Sequence, residues 1–290
     1  MADSILYLIA NHRVRVIGDD VVTMLRTMPG FPVFEVSDGT PEWEIVFGSK
    51  IEKPAQWTKL YQFDSEIDMT SSVFAKTADA YYFTMISADT SAEPLLMRYR
   101  GGNVVEATVG VNPVLLRFAL WMALSMLSAS SKMVLIHSSV IVHQGKAVLF
   151  LGESGTGKST HTRLWLKHIP DSHLLNDDSP ILAVVDGKPM VYGSPWSGKT
   201  HCYHQLCFPL AAAVRLSQAP YNKIRHLSIV EAFSSMHPSC PPALAQDEKF
   251  QDMVVDMLSD VLAEVPVFHL ECLPDEAAAW TSHDAIFKTK

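Results

Sequence analysis

The chain has 290 residues, 48% of them apolar and 19% charged, which suits a folded protein with a sizeable core and excludes an intrinsically disordered one. A net charge of −8 argues against broad contact with nucleic acid or an anionic membrane, where a basic face supplies the attraction, but leaves room for a single bound nucleotide. Four cysteines are too few for a disulfide scaffold, and the N-terminus carries an early acid and no basic region before it breaks at Asn11-His12-Arg13, unlike a secretory signal, so a reduced, cytoplasmic protein is expected. Residues 1–110 read as short strands between turn residues. Examples are Val14–Ile17 before Gly18-Asp19, Glu44–Phe47 before Gly48, and Tyr81–Met85. That pattern predicts a smaller, mostly β domain with no legible function.

Residues 111–130 are expected to form a connecting apolar helix, opened by Asn112-Pro113 and shorter than the ~20 uninterrupted apolar residues of a membrane span. Residues 131–290 then read as an α/β domain with a mixed sheet. Val134 to Val142 is expected as one strand containing His137, Ala147–Leu151 as a second strand apolar on both faces, and Lys158–His168 as a helix. Ile181–Val185 and Pro189–Tyr192 form an expected hairpin around Asp186-Gly187. Further strands are expected at Ala211–Leu216 and Val265–Leu270, with a helix at Phe250–Glu264 between them.

Three pieces carry chemistry. Gly152-Glu153-Ser154-Gly155-Thr156-Gly157-Lys158-Ser159, followed by Thr160, fits the phosphate-binding pattern G-x-x-x-x-G-K-[ST] between a strand and a helix. In that pattern glycines let backbone N–H groups surround phosphate oxygens, and the helix N-terminus adds partial positive charge. Lys158 would reach the outer phosphates, and the Ser159 hydroxyl would bind Mg²⁺. Nineteen and twenty residues after Lys158 stand Asp177 and Asp178, an acidic pair able to divide metal binding from proton acceptance. His137, ahead of the loop, is expected near the terminal phosphate. Taken alone, the acidic pair also suits a turn, and His137 also suits a satisfied core position.

Together these motifs resemble the P-loop family of HPr kinase/phosphorylase and ATP-dependent phosphoenolpyruvate carboxykinase. The resemblance covers about residues 130–185 through His137, Gly152 to Thr160 and Asp177-Asp178, and extends more loosely over Tyr192–Lys199 and the closing strand. It implies an HPr kinase/carboxykinase-like fold and an ATP- and Mg²⁺-dependent kinase. Asp178 would be the metal ligand or proton acceptor, supported by Asp177 and His137. Pro195–Lys199 stands where the HPr enzyme carries Glu-x-Arg-Gly-x-Gly, with Lys199 the cation in place of that Arg, so the resemblance does not extend to phosphorolysis. The chain is also much shorter than the carboxykinases, which argues against oxaloacetate decarboxylation. The expected function is phosphoryl transfer to a hydroxyl, plausibly a serine of a protein or peptide. Its alternatives are a small-molecule kinase and a nucleotide-dependent regulatory module without catalysis.

Four further readings remain. Trp196 either stacks on a base or packs. Arg215 faces either the nucleotide or Glu231. Cys202 and Cys207 with His201 and His204 match no common zinc spacing, and Leu206–Phe208 reads as buried strand. Cys272 reads as core.

Overall fold

A computed structural model describes residues 2–65, 69–88, 93–108, 112–198 and 200–288. It is an α/β protein with two mixed sheets, one in each of two compact units. The first unit runs to Ser131 and includes Pro242–Gln251; the second comprises Lys132–Pro241 and the chain from Asp252.

In the first unit the strands are β1 (Ser4–Ile9), β2 (His12–Ile17), β3 (Glu35–Val36), β4 (Trp43–Phe47), β5 (Thr58–Ser65), β6 (Thr70–Lys76), β7 (Tyr81–Ser87), β8 (Leu95–Tyr99) and β9 (Val104–Ala107). Their spatial order is 3-1-2-4-9-8-7-6-5, with β4 parallel to both β2 and β9. Period-two patterning sets the buried face: Ile5, Tyr7 and Ile9 of β1 turn inward with Val14 and Val16 of β2 and Trp43, Ile45 and Phe47 of β4. Two helices accompany the sheet, α1 (Asp19–Leu25) and α2 (Pro113–Ser128). Asn112 caps α2 by accepting the Val114 and Leu115 N–H groups, and Pro113 takes the first turn, where no N–H is required. With the turn that follows it, α2 is the one described helix long and apolar enough to cross a bilayer. It lies instead against β4, β7, β8 and β9, with 67% of its apolar stretch buried. It counts with the first unit, as does Pro242–Gln251.

The second unit contains β10 (Met133–Leu135), β11 (Ser138–His143), β12 (Lys146–Leu151), β13 (His173–Asp178), β14 (Ile181–Val185), β15 (Lys188–Tyr192), β16 (Cys207–Gln218), β17 (Lys223–His226) and β18 (Val267–Cys272). The order is 10-14-15-16-12-11-13, with β18 beside the far half of β16 and β17 beside β18. Strand β12 shows why its run is continuously apolar. Ala147, Leu149 and Leu151 enter a core with α4 (Ile229–Met236) and α5 (Glu248–Glu264). Val148 and Phe150 enter a second core with α3 (Lys158–His168) and α6 (Glu276–Phe287). The larger of these buried side chains, Val148, Leu149, Phe150 and Leu151, contribute roughly 1.5–3 kcal/mol each. The Asp186-Gly187 turn closes the β14–β15 hairpin with both residues at positive φ, 49° and 75°.

One expected strand is two. The run from Val134 to Val142 breaks at Ile136-His137, because β10 pairs with β14 whereas β11 pairs with β12 and β13. At the crossover the Ile136 N–H donates to Pro180 O and the His137 N–H to Ser239 O, so the chain changes partners without leaving these donors orphaned. His137 therefore stands between strands. At Leu206-Cys207 the expected buried strand is exposed, and β16 begins there.

Candidate functional site

The loop from Gly152 to Gly157 leaves the end of β12 and enters α3 at Lys158. Gly157 occupies the left-handed region at φ 103° with no side-chain cap, which leaves the first amides of α3 open to an anion. Gly155, at φ 83°, makes the preceding reversal. Lys158 folds back over its own loop, donating to Gly152 O at 2.8 Å and Glu153 O at 3.1 Å. Its ammonium also lies 2.9 Å from His137 Nε2, and the other ring nitrogen, Nδ1, is 3.3 Å from Asp178 Oδ1. With Lys158 a donor only, this geometry assigns Nε2 as acceptor and puts the proton on Nδ1. Burial lowers the Lys158 pKa from its ordinary value; Asp178 and Asp177 oppose that shift and Arg215 adds to it.

Both carboxylates come from the end of β13, in different environments. The register sets Ser139 of β11 opposite Asp177, and a bulge past Val140 adjusts the strand just beyond. The buried Asp177 takes two hydroxyl donors on one oxygen, Oδ1: Ser139 at 2.7 Å and Ser159 at 2.9 Å. The Ser139 hydroxyl also lies 3.2 Å from the Thr162 hydroxyl on the next turn of α3. Asp178 is 38% exposed and accepts the Ser179 hydroxyl at 3.1 Å. Asn176 organises the strand end: its side-chain oxygen accepts the Asp178 and Ser179 N–H groups, and its amide donates to Trp196 O at 2.9 Å. The segment after β15 lies along the pair, with a bridge between Ser197 and Asp178 and the Gly198 N–H on Asp177 O at 3.0 Å. A Cβ at Gly198 would stand 2.8 Å from that carbonyl, so only glycine fits without displacement.

His137, Lys158, Ser159, Asp177 and Asp178 thus converge at one end of the sheet. The Ser159 hydroxyl meets Asp177 and not Asp178, so the carboxylate beside the loop is the first of the two. Lys199 lies outside the described residues. Trp196 is 4% exposed and packs, leaving no face for a base. Arg215 pairs with Glu153 at 3.6 Å, and Glu231 pairs with Arg225 at 2.9 Å, because the capping box of α4 holds Glu231 beside Ser228. Ser139, Thr162 and Ser179 join the site without a motif of their own; the local signal for Ser139 is its place two residues beyond His137.

Beside the loop, α3 and the ends of β16 and β18 enclose a cleft of about 550 Å³. Gly155, Gly157, Thr160, Leu164, Gln218 and Pro274 contribute to its lining. Cys272 lines it too and is only partly buried; burial still pushes its thiol up to about 11. Among the described residues no three His, Cys, Asp or Glu side chains cluster as a self-sufficient metal cage. The oxygen donors of Ser159, Asp177 and Asp178 nevertheless suit a hard cation that shares its shell with phosphate and water, the usual arrangement for Mg²⁺.

Searches against protein-family models and against curated proteins return no match to this chain.

Proposed function

We propose that the second unit is a P-loop nucleotide-binding domain that uses ATP and Mg²⁺ to phosphorylate a hydroxyl group, such as a serine of a protein or peptide, in the manner of HPr-kinase-like enzymes. The observation that carries this reading is the paired chain of contacts Lys158–His137–Asp178 and Ser159–Asp177 at one strand end. The loop amides and Lys158 bind the β- and γ-phosphates, Ser159 and Asp177 hold the cation, and the cleft beside Thr160 receives the nucleoside. When bound, Mg²⁺ neutralises charge on the phosphate oxygens.

Asp178 has the exposure an acceptor requires and accepts the proton of the attacking hydroxyl, with the His137 imidazole orienting its Oδ1. Phosphoryl transfer demands chiefly positioning and charge neutralisation, and the buried Asn176–Ser194–Trp196 network holds the strand end rigid for that task.

The test is incubation with γ-labelled ATP, Mg²⁺ and a lysate of the source cell, followed by identification of labelled species. Lys158→Ala is expected to abolish nucleotide binding, whereas Asp178→Asn is expected to keep binding and lose transfer. A wild-type chain that binds ATP and labels no acceptor would leave the regulatory-module reading in its place.

A further inference from the structure

One ion pair outside the assigned groups reaches the same loop. Arg215 lies across the parallel register from Leu151, the residue that leads into Gly152. Its strand neighbours Val214 and Leu216 enter the core shared with α3 and α6, so alternation sends Arg215 to the opposite face, at the strand end where the loop begins. There the guanidinium lies 3.6 Å from Glu153 Oε1 through Nη2, and Nη1 donates to Ser235 O, near the end of α4, at 3.5 Å.

The pair is lopsided. Arg215 has 24% of its side chain exposed, whereas Glu153 is 85% exposed and meets the guanidinium at the outer limit of an ion pair. Such a contact is weak, and it occupies little of a planar fork built for bidentate oxyanions. Glu153 also puts a carboxylate on the second residue of a loop whose amides favour an anion from elsewhere.

We propose that Arg215 is a second cation for the terminal phosphate beside Lys158, and that Glu153 is its internal competitor, displaced when a nucleoside triphosphate enters the loop. This inference rests on the nucleotide reading above and specifies how the site tells a triphosphate from a diphosphate. A diphosphate leaves the Arg215–Glu153 pair intact, because it offers no group at the terminal position. A triphosphate exchanges a long, monodentate, solvent-exposed carboxylate partner for a phosphate that the guanidinium fork can engage bidentately.

The experiment is calorimetric titration of the full chain, with Mg²⁺, against ADP and against the β,γ-imido analogue of ATP. Arg215→Gln is expected to weaken the triphosphate about tenfold and the diphosphate by less than about threefold, the size of one lost charge-assisted contact. Glu153→Gln is expected to tighten the triphosphate about threefold or more, because the competitor is gone. Arg215→Lys is expected to fall between wild type and Arg215→Gln. Equal weakening of both nucleotides by Arg215→Gln overturns the proposal, as does unchanged or weaker triphosphate binding in Glu153→Gln. Because Glu153 is highly exposed, its variant decides the matter even if Arg215→Gln fails to fold. A wild-type chain that binds neither nucleotide overturns the nucleotide reading and this inference together. Normal binding without the differential effects overturns this inference alone.

Discussion

In the first unit the carboxylate of Asp247, 1% exposed, takes the Lys76 ammonium at 2.6 Å, the Tyr81 hydroxyl at 3.0 Å and the Phe250 N–H at 3.3 Å. In the second, Asp178 is 38% exposed and, among the described residues, its carboxylate meets the Ser179 hydroxyl and the His137 ring. Burial pushes the Asp247 carboxyl up, but Lys76, Tyr81 and the Phe250 amide outweigh it and hold the pKa below the usual carboxylate range. Its lone pairs are committed, so it anchors Pro242–Gln251 to β6 and β7 and offers a substrate nothing. Asp178 is held loosely enough to exchange partners. The contrast separates a carboxylate whose acceptor sites are committed to the fold from one left open for the proposed role: saturation by donors, more than burial, distinguishes them.

Substitutions can break that contrast. The largest expected effect is Asp178→Asn, a loss of about 10³-fold in transfer rate with the melting temperature nearly unchanged. A rate within tenfold of wild type in the labelled-ATP assay would deny Asp178 its role. Asp247→Ala is expected to do the reverse: a melting temperature lower by about 5–10 °C, from stranding the Tyr81 and Phe250 donors, with nucleotide affinity per folded molecule unchanged. Scanning calorimetry and titration on the same preparation check both halves.

Acid sharpens the comparison further. His161 of α3, 3% exposed and 3.0 Å from the Ser282 hydroxyl, has its pKa lowered by burial from 6.5 to about 4. Between those values the unfolded chain binds the proton better, so stability is complete above pH 6.5 and declines as the pH falls towards about 4. The contribution of Asp247, whose pKa is depressed, is lost only at lower pH, below its ordinary value of 3.8. Melting curves from pH 7 to 3 are expected to show the His161 step first, and His161→Gln is expected to flatten it. The smallest effect is that of Gly198→Ala, about 1–2 kcal/mol from a methyl forced against Asp177 O. Denaturant titration measures it.

What was legible in the sequence was local. Glycine spacing, a lysine and a hydroxyl specify the loop and the start of α3 within a few residues, and the hairpin announces itself through Asp186-Gly187. What was hidden depended on pairing. Nothing between Val134 and Val142 marks a turn, and His137 leaves the strand only because β10 and β11 have different neighbours. Likewise, two adjacent aspartates look equivalent until the β11–β13 register puts Asp177 against Ser139 and leaves Asp178 to His137. Helix α6 has a faint sequence signature because its alanines and lone aromatics give little amphipathic contrast, although Ser282 accepts the buried Trp165 indole N–H at 2.9 Å. The exchange of Arg215 from Glu231 to Glu153 follows from a capping box whose carboxylate is already engaged.

The backbone of His137 is fastened to the carbonyl of Ser239, in the short turn that ends α4, at 2.7 Å. The imidazole therefore takes its height above the lysine from a tether that belongs to a distant stretch of chain. A substitution that shifts that turn would shift the backbone from which the ring projects, like a needle whose pivot has moved.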